Sequence, residues 1–255
     1  MIIDTHAHYD DRAFNDDRDE VLNSLRDSGV EYVVNVGASL KSSRSTIELT
    51  KNYSFVYGAV GVHPDEVGEL DESGLKWLEE SAKLPKIVAV GEIGLDYYWD
   101  KADRQVQKEW FAKQMALAKN ANLPIIVHSR DAAADTLDVM KAENAKELSG
   151  VIHCFSYGVE MAREYLNWDY YLGIGGVVTF KNAKKIKEVI EYMPLSKLLL
   201  ETDCPYLAPV PYRGKRNTSA NLPLVIKAIA EIKGVSYEEV EQTAYDNAKR
   251  FYHIS

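Results

Sequence analysis

His6 and His8 stand two residues apart in Asp4-Thr-His-Ala-His8, directly after a short apolar run. In extended backbone, residues at that spacing leave from the same face, so both imidazoles can reach one cation. An isolated pair of this kind is also compatible with packing or surface histidines. The same placement recurs along the chain. Glu92 follows Ile87-Val-Ala-Val90-Gly91, His128 closes Pro124-Ile-Ile-Val127, His153 closes Gly150-Val-Ile152, and Asp203 closes Leu198-Leu-Leu-Glu-Thr202. A carboxylate at the end of a buried strand needs a cation or a hydrogen-bonding partner, because an uncompensated charge in an apolar setting is costly. For Glu92 that partner is a metal or an Arg or Lys. Six nitrogen and oxygen donors exceed what one four-coordinate ion takes, whereas two ions sharing a carboxylate use them all. The expected division is His6, His8 and Asp203 on one ion, His128 and His153 on the other, with Glu92 between them. Imidazole with carboxylate suits Zn, Mn, Fe or Co better than an all-oxygen Mg or Ca site, and the spacing does not choose among these metals. Such ions generate hydroxide near neutral pH, so the chemistry is hydrolysis, with Asp203 placed to take the water's proton.

The elements that must position these residues alternate regularly. Apolar, β-branched runs at 2–5, 32–36, 55–60, 87–90, 124–127, 150–152, 170–174 and 198–200 read as strands. Stretches of helical period fall between them at 16–28, 40–51, 71–83, 103–120, 131–143, 159–166 and 182–192, each opening at or near a capping or acidic residue. Residues 221–252 add two helices parted near Gly234-Val-Ser236. Eight βα repeats predict a single (β/α)8 TIM-type barrel with extra C-terminal helices, one domain over 1–255. In that fold the residues beyond the strand C-termini share one mouth. A doubly wound sheet usually carries a Gly-rich phosphate loop. Gly173-Ile-Gly175-Gly176 lacks the last glycine of that fingerprint, since position 178 is Val, and reads as strand-end geometry.

Composition narrows the partners. With 30 Lys and Arg against 39 Asp and Glu, the 255-residue chain carries −9 at neutral pH, which disfavours a broad surface for duplex nucleic acid. Positive charge is concentrated instead after Asp203, where a proline-stiffened loop carries Arg213, Lys215 and Arg216. These can receive phosphate, or simply form a solvated loop. His63, in Gly61-Val-His-Pro64, can hydrogen-bond substrate or cap local structure. Cys154 and Cys204 are too few for a disulfide framework, and they read as small apolar residues in a cytoplasmic protein with no secretory signal or membrane span. Ser129 lacks a nucleophile elbow, and His253 falls in the last helical turn. Most of the 16 Tyr are expected in the core.

Taken together, Ile3-Asp-Thr-His-Ala-His8, Gly61-Val-His-Pro64, Gly91-Glu-Ile-Gly-Leu-Asp-Tyr-Tyr98, His128-Ser-Arg-Asp-Ala132, His153-Cys-Phe-Ser156, Glu201-Thr-Asp-Cys-Pro-Tyr-Leu207, Arg213-Gly-Lys-Arg-Asn217 and Asn247-Ala248 resemble the TatD-type metal-dependent deoxyribonucleases of the amidohydrolase-like barrels. The resemblance covers nearly the whole chain. It implies divalent metal ions and cleavage of DNA phosphodiesters, often from the 3′ end. The donor count makes them two ions (Zn, Mg, Mn, Co or Fe), and a small basic patch on an acidic chain favours single strands or chain ends. It places His6, His8, Glu92, His128, His153 and Asp203 at metal, with His63 and Arg213 on substrate. Four positions depart from the family pattern. Asp65 stands where a second His is common, Tyr157 where Gly is, Tyr9 where Leu is, and Ser219 where Pro is. Asp65 and Tyr157 bear on substrate preference. Hydrolysis of another ester or amide, as by an aminoacyl-tRNA deacylase or a lactonase, is the alternative chemistry. A metal-dependent scaffold without turnover would need neither Asp203 as a base nor the cationic loop.

Overall fold

Apolar residues in register along each strand, with a capped helix after it, generate a repeating unit in the computed structural model, which describes residues 1–254. The strands are β1 (Ile2–Ala7), β2 (Val30–Val36), β3 (Val56–Val60), β4 (Ile87–Asp96), β5 (Ile125–Arg130), β6 (Gly150–Ile152), β7 (Tyr171–Ile174) and β8 (Leu198–Leu200). They lie in sequence order in one eight-stranded sheet. The helices are α1 (Arg18–Ser24), α2 (Leu40–Asn52), α3 (Glu72–Ser81), α4 (Arg104–Ala121), α5 (Ala133–Ala142), α6 (Val159–Asn167), α7 (Lys184–Tyr192), α8 (Leu222–Lys233) and α9 (Tyr237–Tyr252). This is the expected (β/α)8 TIM-type architecture, with α9 added beyond the repeat. No described helix is long and apolar enough to cross a membrane.

Contacts group the chain into two compact units, residues 1–35 with 154–255, and residues 36–153. In the first, β1 pairs in parallel with β2, and β7 with β8. The end of β1 also meets the segment after β8. Asp203 N–H donates to the His6 carbonyl at 2.9 Å, and His8 N–H to that of Cys204 at 2.8 Å. Helix α9 seals this seam. Tyr252 donates its hydroxyl to the Thr5 carbonyl (2.9 Å), and the Asn247 amide donates to the Leu198 carbonyl (2.9 Å). In the second unit, β3–β4, β4–β5 and β5–β6 are parallel pairs.

Among the described residues, four of the nine α-helix starts follow a side-chain cap. Ser39 and Ser42 form a capping box at α2, while Asp71, Asp103 and Ser236 accept first-turn amide hydrogens at α3, α4 and α9. Four helices, α1, α3, α5 and α7, are shorter than the sequence pattern indicates, and in two of them the backbone shows why. The 16–28 stretch is α-helical only over α1 and tightens to a 3-10 turn at 25–28, because Asp17 makes no cap and Gly29, at φ +78°, ends the run. Helix α5 starts at Ala133 rather than 131, since Asp131 sits in the left-handed region at φ +52°.

Three strands run further at their C-terminal ends than expected, and this matters for the site. β1 extends to Ala7, β4 to Asp96 and β5 to Arg130, sustained by the pairings Ile93 with Val127, Gly94 with His128 and Asp96 with Arg130. His6, Glu92 and His128 therefore lie within strands instead of just past them. Their directions are set by the pleat, which puts Glu92, Gly94 and Asp96 on one face and His128 with Arg130 on one face. Position 94 tolerates only glycine. Its φ is +147°, and a Cβ there would run into the His128 carbonyl oxygen.

Candidate metal centres

At the seam of β1 with the segment after β8, His6 and His8 bring their Nε2 atoms to 3.1 Å from each other. Asp203 Oδ1 lies 3.3 Å from His8 Nε2 and 3.9 Å from His6 Nε2. An ion about 2.1 Å from each of its tetrahedral ligands separates them by roughly 3.4 Å, so these three donors converge as a cation requires. Asp203 faces back onto the histidines because its backbone is left-handed, φ +55°, a conformation Asp accepts more readily than most residues. His6 is buried, while Asp203 keeps 18% of its side chain exposed, so the group is reachable from solvent at the carboxylate.

A buried polar network fixes this group from behind. Asp4 Oδ1 accepts the N–H of His6 (3.2 Å) and of Thr202 (3.1 Å), and Oδ2 accepts the hydroxyls of Thr202 and Ser219, both at 2.5 Å. Burial raises the Asp4 carboxyl to about 7, against the lowering effect of those hydrogen bonds. Two of the four departures from the family pattern meet here. Ser219 N–H donates to the Tyr9 hydroxyl at 2.9 Å, and since Ser219 Oγ gives its own proton to Asp4, the Tyr9 hydroxyl donates to Ser219 Oγ at 2.8 Å. A Leu at 9 could not accept the Ser219 N–H, and a Pro at 219 has none to give. Tyr9 and Ser219 therefore depend on each other for their hydrogen bonds.

On β4 and β5 a second group gathers around Glu92. Its Oε1 lies 2.7 Å from His128 Nδ1, 3.5 Å from His153 Nε2 and 3.9 Å from His63 Nε2. His128 presents its other nitrogen, Nε2, to Asp96 Oδ2 at 3.0 Å. Burial pulls the His128 pKa down, but the two carboxylates outweigh it and hold the ring at about 9. Asp96 experiences the reverse. Burial raises it, while hydrogen bonds from His128 and from the Trp99 and Tyr98 amides bring it down to about 2. With Nε2 committed to Asp96, Nδ1 is the nitrogen His128 can offer a metal, and Asp96 is the outer carboxylate that orients it. His63 differs. The Asp65 N–H donates to His63 Nδ1 at 3.1 Å, so the neutral ring carries its proton on Nε2. That makes it a donor toward an anion more readily than a metal ligand.

Asp96 lies beyond the apolar run that marks β4 in the sequence, and its one signal there is that a carboxylate four residues after Glu92 on a strand shares its face. Glu201 is a second buried carboxylate beside the ligand positions that the sequence pattern does not single out. It is buried and accepts the Cys154 N–H at 2.6 Å, and a Cβ at Gly173 would collide with its carboxylate, which accounts for the glycine there. Cys204 is buried as expected, and burial lifts its thiol far above its ordinary value. Cys154 instead lines a small cavity with Glu201 and Asp203. Asp65 is nearly buried. Its Oδ2 lies 3.5 Å from Lys101 Nζ, its Oδ1 has no hydrogen-bond partner, and burial raises its pKa. The three cations of the 205–217 loop separate by role. Arg216 clasps Asp17 through two N–H groups (2.8 and 2.5 Å), whereas Arg213, stacked over Phe180, and Lys215 form no ion pair among the described residues.

The family described as TatD related DNase matches residues 3–253. The chain is 44% identical over its full length, and the full length of the relative, to the Uncharacterized metal-dependent hydrolase YabD of Bacillus subtilis (strain 168). It is 36% identical to the Uncharacterized metal-dependent hydrolase YcfH of Escherichia coli (strain K12), covering all of this chain and 96% of that one. Among solved structures, the TatD homologue YjjV of Escherichia coli superposes with a TM-score of 0.94 at 29% identity, covering 100% of this chain and 98% of that one.

Proposed function

Since this chain belongs to the TatD family of metal-dependent hydrolases, we propose that it cleaves phosphodiester bonds of DNA, as a 3′ to 5′ exonuclease on single strands or chain ends. The observation that carries the reading is the convergence of imidazole and carboxylate at His6, His8 and Asp203 and around Glu92, which His63, His128 and His153 all approach, together with uncommitted cations on an otherwise acidic chain. In this reading the chain acts as one domain. His6, His8 and Asp203 hold one divalent ion, and Glu92, His128 and His153 hold a second. When bound, such ions supply Lewis acidity and lower the pKa of water.

Each residue then has a task. Asp203, the most exposed donor of its group, takes the proton of the attacking water. His63 donates its Nε2 proton to a phosphoryl oxygen. Arg213 and Lys215 attract the anionic chain, while Arg216 anchors their loop to Asp17. The acidic remainder of the surface favours short segments over long duplex.

The test incubates metal-loaded protein with 3′-labelled and 5′-labelled single strands, duplex, an aminoacyl ester and a lactone. The expected result is stepwise loss of the 3′ label, stopped by a chelator and restored by added metal. Turnover of the aminoacyl ester or lactone with no release of nucleotides would replace this substrate class with the alternative one.

A further inference from the structure

We propose that Tyr98, Trp99 and Arg130 form a nucleotide subsite beside the Glu92–His128 group, taking a nucleobase on the Trp99 ring and the adjoining phosphate on the Arg130 guanidinium. This deepens the phosphodiester reading and rests on it for the identity of the ligand.

Tyr98 and Trp99 are 55% and 57% exposed, in the turn just after β4, a strand of ten residues of which all but one are buried. Their rings meet edge to face at 5.0 Å and 86°, which steadies both while leaving ring surface open. The Arg130 guanidinium lies 3.8 Å over Tyr98 and 5.7 Å from Trp99. Stacking uses the flat face of a guanidinium and leaves its N–H edge available. No carboxylate among the described residues pairs with Arg130. An oriented cation beside exposed aromatic faces is the combination that binds single-stranded nucleic acid, rings for bases and charge for backbone.

The subsite is tied to the chemistry by one side chain. Asp96 Oδ1 accepts the N–H of Tyr98 (2.9 Å) and of Trp99 (3.0 Å), while its Oδ2 holds His128. Tyr97 N–H donates to the Arg130 carbonyl at 2.9 Å, which locks the start of the aromatic turn to β5. Arg130 follows His128 by two residues on the same strand face, about 6.6 Å along the chain. A phosphate on Arg130 is thus a near neighbour of one at His128. A turn serving only to connect β4 with α4 would need neither the ring pair nor an uncommitted arginine.

The experiment measures binding by anisotropy of labelled oligothymidylate of eight nucleotides, and of the same backbone built from abasic tetrahydrofuran units, to the metal-loaded full chain carrying Asp203→Asn to suppress turnover. The base-bearing strand should bind about tenfold tighter, the value of one stacked base. Trp99→Ala should abolish that preference. Arg130→Gln should weaken both strands alike and reduce the slope of log affinity against log salt by about 0.7. Equal binding of the two strands, no binding of either, or a preference surviving Trp99→Ala overturns the subsite. The two readings fail separately. Base-dependent binding with no phosphodiester cleavage by the unsubstituted enzyme keeps the subsite and removes the nuclease. Cleavage without base preference does the opposite.

Discussion

The two groups of candidate ligands are stabilised in opposite ways. Around His6, His8 and Asp203 the supporting shell is a chain of hydrogen bonds running through Asp4, Thr202, Ser219 and Tyr9, all buried. Around Glu92 the shell is ionic, with His128 held between two carboxylates. A hydrogen-bonded shell fixes geometry whether or not an ion is present. An ionic one keeps the metal-free site folded by putting a proton where the metal would go, so ion uptake there must displace it. The lesson is that one fold can support two groups of candidate ligands by different means, and that they should respond differently to pH and to mutation.

Removing function from one group without disturbing its shell tests this comparison most directly. Asp203→Asn should lower turnover by about 10²–10⁴-fold, as loss of a general base does, with an unchanged circular dichroism spectrum and most of the metal retained by elemental analysis. Near-normal turnover removes Asp203 from the mechanism. The next largest effect concerns protons. His128 is raised above its ordinary 6.5 to about 9 in the metal-free protein. The stabilisation from its protonated form is therefore complete below about pH 6.5 and lost as pH rises through about 9, at most about 3 kcal/mol. Thermal melts of chelated protein should fall across that window, and melts of metal-loaded protein should not show this decline.

Asp96→Asn should weaken metal at the Glu92 group by about 10–100-fold, the usual cost of losing an outer carboxylate, and leave the His6 group's affinity unchanged in a chelator competition. A uniform loss at both groups would show that the shells are not independent. Smallest is the exchange at the buried network. Tyr9→Leu and Ser219→Pro should each cost about 1–3 kcal/mol by stranding a buried polar group. The double substitution should recover much of the sum in a denaturant double-mutant cycle. Simple additivity would mean the Tyr9–Ser219 contact carries no coupling.

What was legible in the sequence was local. Strand and helix periodicity, the caps at Ser39, Asp71, Asp103 and Ser236, and the repeated appearance of His or acid at the end of an apolar run depend on residues within a turn or a pleat of one another. These were enough for the (β/α)8 architecture and for nominating His6, His8, Glu92, His128, His153 and Asp203. Strand ends were less legible, because β4 and β5 persist through Asp96 and Arg130 by pairing with each other, beyond where their apolar runs stop.

Tertiary structure alone decided the rest. Tyr9 reaches Ser219 across 210 positions and Arg216 reaches Asp17 across 199, so nothing in either local pattern marks them as partners. The choice of Nδ1 on His128 and the stacking of Arg130 on Tyr98 likewise depend on which atoms meet. Residue type sets what a side chain can donate, accept or ligate, and short-range spacing sets the face it leaves from. Which of those capacities is used is settled by a neighbour that the folded chain brings to within about 3 Å, the range over which hydrogen bonds and coordination act.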